Sequence, residues 1–180
     1  YHDIMRVLIK HGANVNTADK DGRTALTAAT RNGDVESARI LLQAGADVHV
    51  GDTNGATALM HAADAGHRDM VELLLEHGAS VGAQSRDGAT PLFWAAERGH
   101  GGIVQEFLEA GAEVGHRDLT GRTALMGAAA NGHAGIVRLL IEHGADVDAR
   151  DDRGRSAVDH AERSGKEDVV RLLRNAGAAD

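Results

Sequence analysis

Histidine is the residue type here that most invites a chemical reading. The chain carries 11 His and 27 Asp plus Glu, with no Cys. Imidazoles and carboxylates in company are the raw material of metal sites and of general acid–base chemistry. Their spacing argues otherwise. His67, His100 and His133 each follow a Gly at one register, and His11, His77 and His143 each precede a Gly at another. The second register reads as a helix C-terminus, where the dipole favours a partly protonated ring. Equivalent positions of neighbouring repeats stand on the order of 10 Å apart, too far to share an ion held by bonds of ~2 Å. His61 and His160 share a register but lie three repeats apart. The histidines are therefore expected to serve the framework, with no metal ligated.

Nucleophiles are scarce. Without Cys there is no thiol, and no Gly-x-Ser-x-Gly elbow occurs. Ser164-Gly165-Lys166 ends like a phosphate loop, but His160 stands where that loop needs its first Gly. Gly99-His100-Gly101-Gly102 falls at the junction of two helices of one repeat and reads as a loosened helix start. No cofactor and no enzymatic activity are expected.

The elements that hold these residues repeat every 33 positions without slip. Gly22, Gly55, Gly88, Gly121 and Gly154 form one column, and Thr24, Thr57, Thr90, Thr123 and Ser156 the column two places on. Leu26 and Ala29 open the next columns, three apart on one helical face. Two further Gly columns begin at Gly33 and Gly12. Each position has a physical task. Asp21-Gly22 and Asn54-Gly55 make tight turns. The Thr hydroxyl caps a short helix, and Gly33 and its equivalents end it. A second, longer helix follows, as in Ile136, Val137, Leu140 and Ile141. Gly144-Ala145 then supplies a left-handed stop. No such unit buries its own apolar face, so the units must stack.

These columns resemble the ankyrin repeat, whose motif runs roughly D-x-x-G-x-T-P-L-H-x-A-A, then G-H, V-V, L-L and G-A-D-V-N. The resemblance covers essentially the whole chain. It implies an all-α solenoid of stacked helix-turn-helix units with β-turn tips, elongated and slightly curved. The repeats read 19–51, 52–84, 85–117, 118–150 and 151–180, after a partial repeat over 1–18. The motif's Pro survives only as Pro91, and its His is replaced by Thr27, Met60, Phe93, Met126 and Asp159. That puts the family's Thr/His hydrogen bonding in question and leaves the fold intact. Arg174 and Glu162 put polar groups where earlier repeats are apolar or small, as a terminal cap requires. At the other end Ile4, Met5, Val7, Leu8 and Ile9 lack a first helix to cover them, and an upstream extension is expected.

Composition sets the outer bounds. The 180 residues are 42% hydrophobic, but only Tyr1, Phe93, Trp94 and Phe107 are aromatic, so the core is built of Ala, Leu, Val and Ile. No apolar run approaches the ~20 residues of a membrane helix, and no signal-peptide pattern opens the chain. A cytoplasmic monomer is expected. The formal charge of −8 argues against nucleic acid as a partner.

Repeat columns that do not vary build the scaffold, so selectivity must lie in those that do. The resemblance places these at the turn tips and on the exposed side of the first helix, lining a concave surface that binds a protein segment or peptide. Matched to this chain, 25 such positions carry nine basic and five acidic residues against the net −8 of the whole. The expected contact residues are Arg23, Arg31, His61, Arg86, Trp94, Arg98, Arg122, Asn131 and Arg155. Arg forks favour a partner with carboxylates. Trp94 either lines the groove or folds over the space left by Gly127. The alternative function is a targeting module for a larger enzyme or effector whose catalytic part lies upstream.

Overall fold

The structure, a computed structural model, describes residues 1–178. It is all-α, with helices paired as the 33-residue period requires. The first unit, Tyr1–Arg86, holds α1 (His2–Lys10), α2 (Ala25–Arg31), α3 (Val35–Gln43), α4 (Ala58–Ala65) and α5 (Arg68–Glu76). Inner helices α2 and α4 pack side by side, and outer helices α1, α3 and α5 form a second row behind them. The second unit begins at Asp87 and holds α6 (Pro91–Arg98), α7 (Gly101–Glu109), α8 (Ala124–Asn131), α9 (Ala134–Glu142), α10 (Ala157–Arg163) and α11 (Glu167–Asn175). Its inner row is α6, α8 and α10, and its outer row is α7, α9 and α11.

Small residues let the inner helices approach closely. Ala62, Ala95, Ala128 and Ala161 are fully buried beside Leu59, Leu92, Leu125 and Val158. The outer row contributes the large side chains, among them Met70, Leu74, Phe107, Leu140 and Leu173. α1 is the exception. It packs chiefly on α3, and Ile4 and Leu8 remain 63% and 56% exposed where their column mates Ile103 and Leu140 are buried.

Helix ends follow the sequence with one departure. Thr24, Thr90, Thr123 and Ser156 each accept the N–H of the residue three places on, at 3.3–3.4 Å. Thr57 does not; its buried hydroxyl has no partner, and its backbone bridges to Gly51 instead. Where the motif's His is missing, two replacements supply a new device. Thr27 and Asp159 reach back to the backbone N–H of Thr24 and Ser156 and close capping boxes. All sixteen glycines of the three columns adopt positive φ. Gly99 shows why no other residue serves: at φ +88° a Cβ would lie 2.6 Å from His133 Cε1.

The tips are hydrogen-bonded turns. Asp19, Asp52, Asp118 and Asp151 each donate their backbone N–H to the carbonyl four residues on, at 2.9–3.0 Å. Neighbouring tips are then stitched together. Thr53 N–H donates to the Asp21 carbonyl and Arg86 N–H to that of Asn54 in the first unit. Leu119 N–H donates to the Asp87 carbonyl and Asp152 N–H to that of Thr120 in the second. At the last repeat the expected polar outward face carries an Arg174–Glu162 ion pair at 2.8 Å.

Candidate functional site

The face to be built is made of tips and inner helices, and its first layer is the turn-opening aspartate. Oδ1 of Asp52 accepts the N–H groups of Asn54 and Ala56, at 2.8 and 3.1 Å. Asp118 does the same for Thr120 and Arg122, and Asp151 for Arg153 and Arg155. The carboxylates beside the tips are thus spent on holding the turns.

A second layer locks two of them further. His61 Nε2 lies 3.0 Å from Asp52 Oδ2, and His160 Nε2 lies 3.0 Å from Asp151 Oδ2. The carboxylate oxygen accepts, so Nε2 carries the proton. Asp151 Oδ2 also accepts Nε and Nη2 of Arg155, at 2.9 and 2.7 Å. Burial alone would raise the pKa of each of these carboxyls; the hydrogen bonds outweigh it and hold both below the ordinary carboxylate range. At Asp151 those bonds come first from Arg155, then from His160 and the Arg153 N–H. Burial, with the guanidiniums of Arg155 and Arg122 nearby, pushes His160 down despite its bond to Asp151. It is therefore a neutral donor.

The arginines take different places. Arg23 is exposed and pairs with Asp21 of its own turn at 3.3 Å. Arg31, the last residue of α2, and Arg86, at a tip, are exposed. Arg98 is exposed at the end of α6. Arg155 turns back into its own repeat onto Asp151. Arg122 crosses to the preceding repeat: its guanidinium carbon lies 5.0 Å from the centre of the Phe93 ring, and Nη2 donates to Glu97 Oε1 at 3.1 Å. Asn131 donates from Nδ2 to the Gly127 carbonyl at 3.0 Å. His61 is half-buried on Asp52.

Phe93 and Glu97 are the residues that sequence reasoning did not place at the centre. The space at Gly127 belongs to them: a Cβ there would meet Glu97 Cβ at 3.4 Å and Phe93 Cε2 at 3.6 Å. Trp94 is half-buried, and its Nε1 is shielded from solvent with no hydrogen-bond partner.

Framework roles absorb many other histidines. His11, His77 and His143 each put Nδ1 2.8–2.9 Å from the carbonyl four residues back, at their own helix ends. His133 Nε2 donates to the Glu97 carbonyl at the end of α6, 3.1 Å away. Among the described residues no three His, Asp or Glu side chains converge as a metal site would require, and no helix is long and apolar enough to cross a membrane.

The family model for ankyrin repeats (3 copies) matches residues 1–52, 44–118 and 101–180. The chain belongs to the ankyrin repeat family. Arrays of this family are in general protein–protein interaction modules and typically lack catalytic activity. A comparison with curated proteins gives no match.

Proposed function

We propose that the chain is a non-catalytic, monomeric recognition module that binds a segment or loop of another protein across its tips and inner helices. The observation that carries this reading is the division of labour within the repeat. The turn aspartates and the capping hydroxyls of four of the five repeats are committed to backbone groups, whereas the tip and inner-helix columns hold a changing set of Arg, Trp, Asn and His. In the second unit that set is Trp94, Arg98, Arg122, Asn131 and Arg155; in the first it is Arg23, Arg31, His61 and Arg86. Trp and Arg are the residues that dominate interface energies. Residues with acidic groups are the favoured counterpart, because guanidinium forks match carboxylates.

The test is affinity capture with the intact array beside a Trp94→Ala, Arg98→Ala variant. Partners of this face are captured by the first and lost with the second, and the variant keeps its melting temperature to within a few degrees. Truncating a Trp hot spot costs about 2 kcal/mol or more of binding, a loss of roughly thirtyfold in affinity. Equal capture by both proteins would refute the assignment. A variant that melts much earlier would place Trp94 in the packing instead.

A further inference from the structure

We propose that Arg122, Phe93 and Glu97 form a carboxylate seat, in which Glu97 stands in for an Asp or Glu side chain of the bound segment. The inference rests on the reading above and adds the place where a carboxylate of the partner is received.

The seat is built to present a guanidinium. One face of Arg122 is covered by the Phe93 ring at 5.0 Å, which leaves its edge for hydrogen bonding in the plane. About a quarter of the Arg122 side chain is solvent-accessible, as is that of Glu97. The internal carboxylate does not satisfy the fork. Arg–carboxylate pairs are frequently bidentate, yet only the Nη2 to Oε1 bond forms here, and Nε is buried without an acceptor. Trp94 Nε1, on the helix that carries Glu97 and three residues before it, likewise has no acceptor. Among the described residues the other buried side-chain polar atoms without partners are the hydroxyls of Thr30 and Thr57. Both unpaired nitrogen donors therefore belong to the adjoining repeats that carry α6 and α8.

Nearby acids do not relieve the shortage. Asp118 Oδ1 is taken by the N–H groups of Thr120 and Arg122 and by the Thr120 hydroxyl. Asp151 is taken by Arg153, Arg155 and His160. The Arg122 fork has more donors than Glu97 satisfies, so what fits it is an acceptor of negative charge. A carboxylate arriving from a partner replaces Glu97 on Arg122 without leaving the cation unpaired, and Glu97 turns out to solvent. Glu97 is thus a built-in competitor for the seat.

The experiment uses two acetylated, amidated peptides, one alternating Gly and Glu and one alternating Gly and Gln. They are titrated into the intact chain while the Arg122 Nε–H and Trp94 indole N–H signals are followed by NMR. The Glu peptide shifts both signals and the Gln peptide does not. Arg122→Gln weakens the Glu peptide about tenfold, and Arg122→Lys, which loses the planar fork, does not restore it. Glu97→Gln tightens it by on the order of fivefold, because the competitor is gone. If Arg122→Gln fails to fold, Glu97→Gln decides alone. Equal response to the two peptides, no response to the Glu peptide, or weaker binding by Glu97→Gln would each overturn the seat. Equal response leaves segment binding itself intact, whereas failure of segment binding shows as capture indifferent to Trp94.

Discussion

Phe107→Ala lowers the stability of the array by about 3–5 kcal/mol, the range for emptying the volume of a fully buried aromatic. Phe107 has no exposed surface and sits in the outer row, on α7, in the column otherwise held by Leu8, Leu41, Leu74, Leu140 and Leu173. A core of Ala and Leu has few large side chains to close over a void, so relaxation recovers little of the loss. Phe107→Leu supplies the control. It restores the residue found in the neighbouring repeats and costs under about 1.5 kcal/mol. Urea denaturation followed by circular dichroism reads both. A loss for Phe107→Ala no larger than that of Phe107→Leu would mean that the outer row does not hold the repeats together. Affinity for a captured partner stays unchanged in Phe107→Leu, since the outer row is scaffold.

Asp151→Ala is the second large effect, about 3 kcal/mol. Removing one member of a buried ion pair costs about 3–5 kcal/mol, and the lower end applies because Arg155 is only half-buried and regains water. The Asp151 side chain is 1% exposed and gathers the Arg155 guanidinium, the His160 ring and two backbone N–H groups. Its loss releases the tip and the start of α10 together. The same site sets the acid limit of the fold. A carboxyl whose folded value is depressed contributes stability above its unfolded value of about 3.9, and that contribution is lost as pH falls below it. Asp19, Asp34, Asp52 and Asp159 are depressed as well, each by hydrogen bonds within its own turn or cap. His160 works in the same direction over a higher window. Kept neutral by burial, it opposes protonation, so stability begins to fall once pH drops below the unfolded value of about 6.5. Melting temperatures measured from pH 7.5 to 3 decline in two stages, and Asp151→Ala removes a share of the lower, acid stage. A pH-independent melting temperature over that range would contradict the assignment.

Much of this was legible because the repeat is so regular. The turn glycines, the Thr caps and the Leu/Ala faces could be placed from one period, and all sixteen column glycines are left-handed as their register demands. Thr57 misled because its cap depends on a local geometry that the Gly51 bridge replaces. The Asp–His locks carried a signal that a column-by-column reading passes over. His61 and His160 are the two repeats' versions of a position where other repeats hold Ala28, Trp94 and Gly127, and each faces an Asp at the same offset upstream. In the repeat with Trp94 that upstream position is Ser85. The Arg122 seat was hidden for a different reason. Its partners Phe93 and Glu97 belong to the preceding repeat, and a periodic pattern says which residues are equivalent, not which ones meet. Gly127 is the trace that pointed there: the absence of a side chain makes room for the Phe93 ring and for Glu97.

The division into a paired scaffold and a selective inner face is tested most directly by mapping a captured partner's footprint on the intact chain through amide chemical shifts. The account predicts perturbations at the tips and along α6, α8 and α10, strongest around Trp94 and Arg122, with α7, α9 and α11 silent. A footprint confined to the outer helices, with Trp94 and Arg122 unmoved, would contradict it.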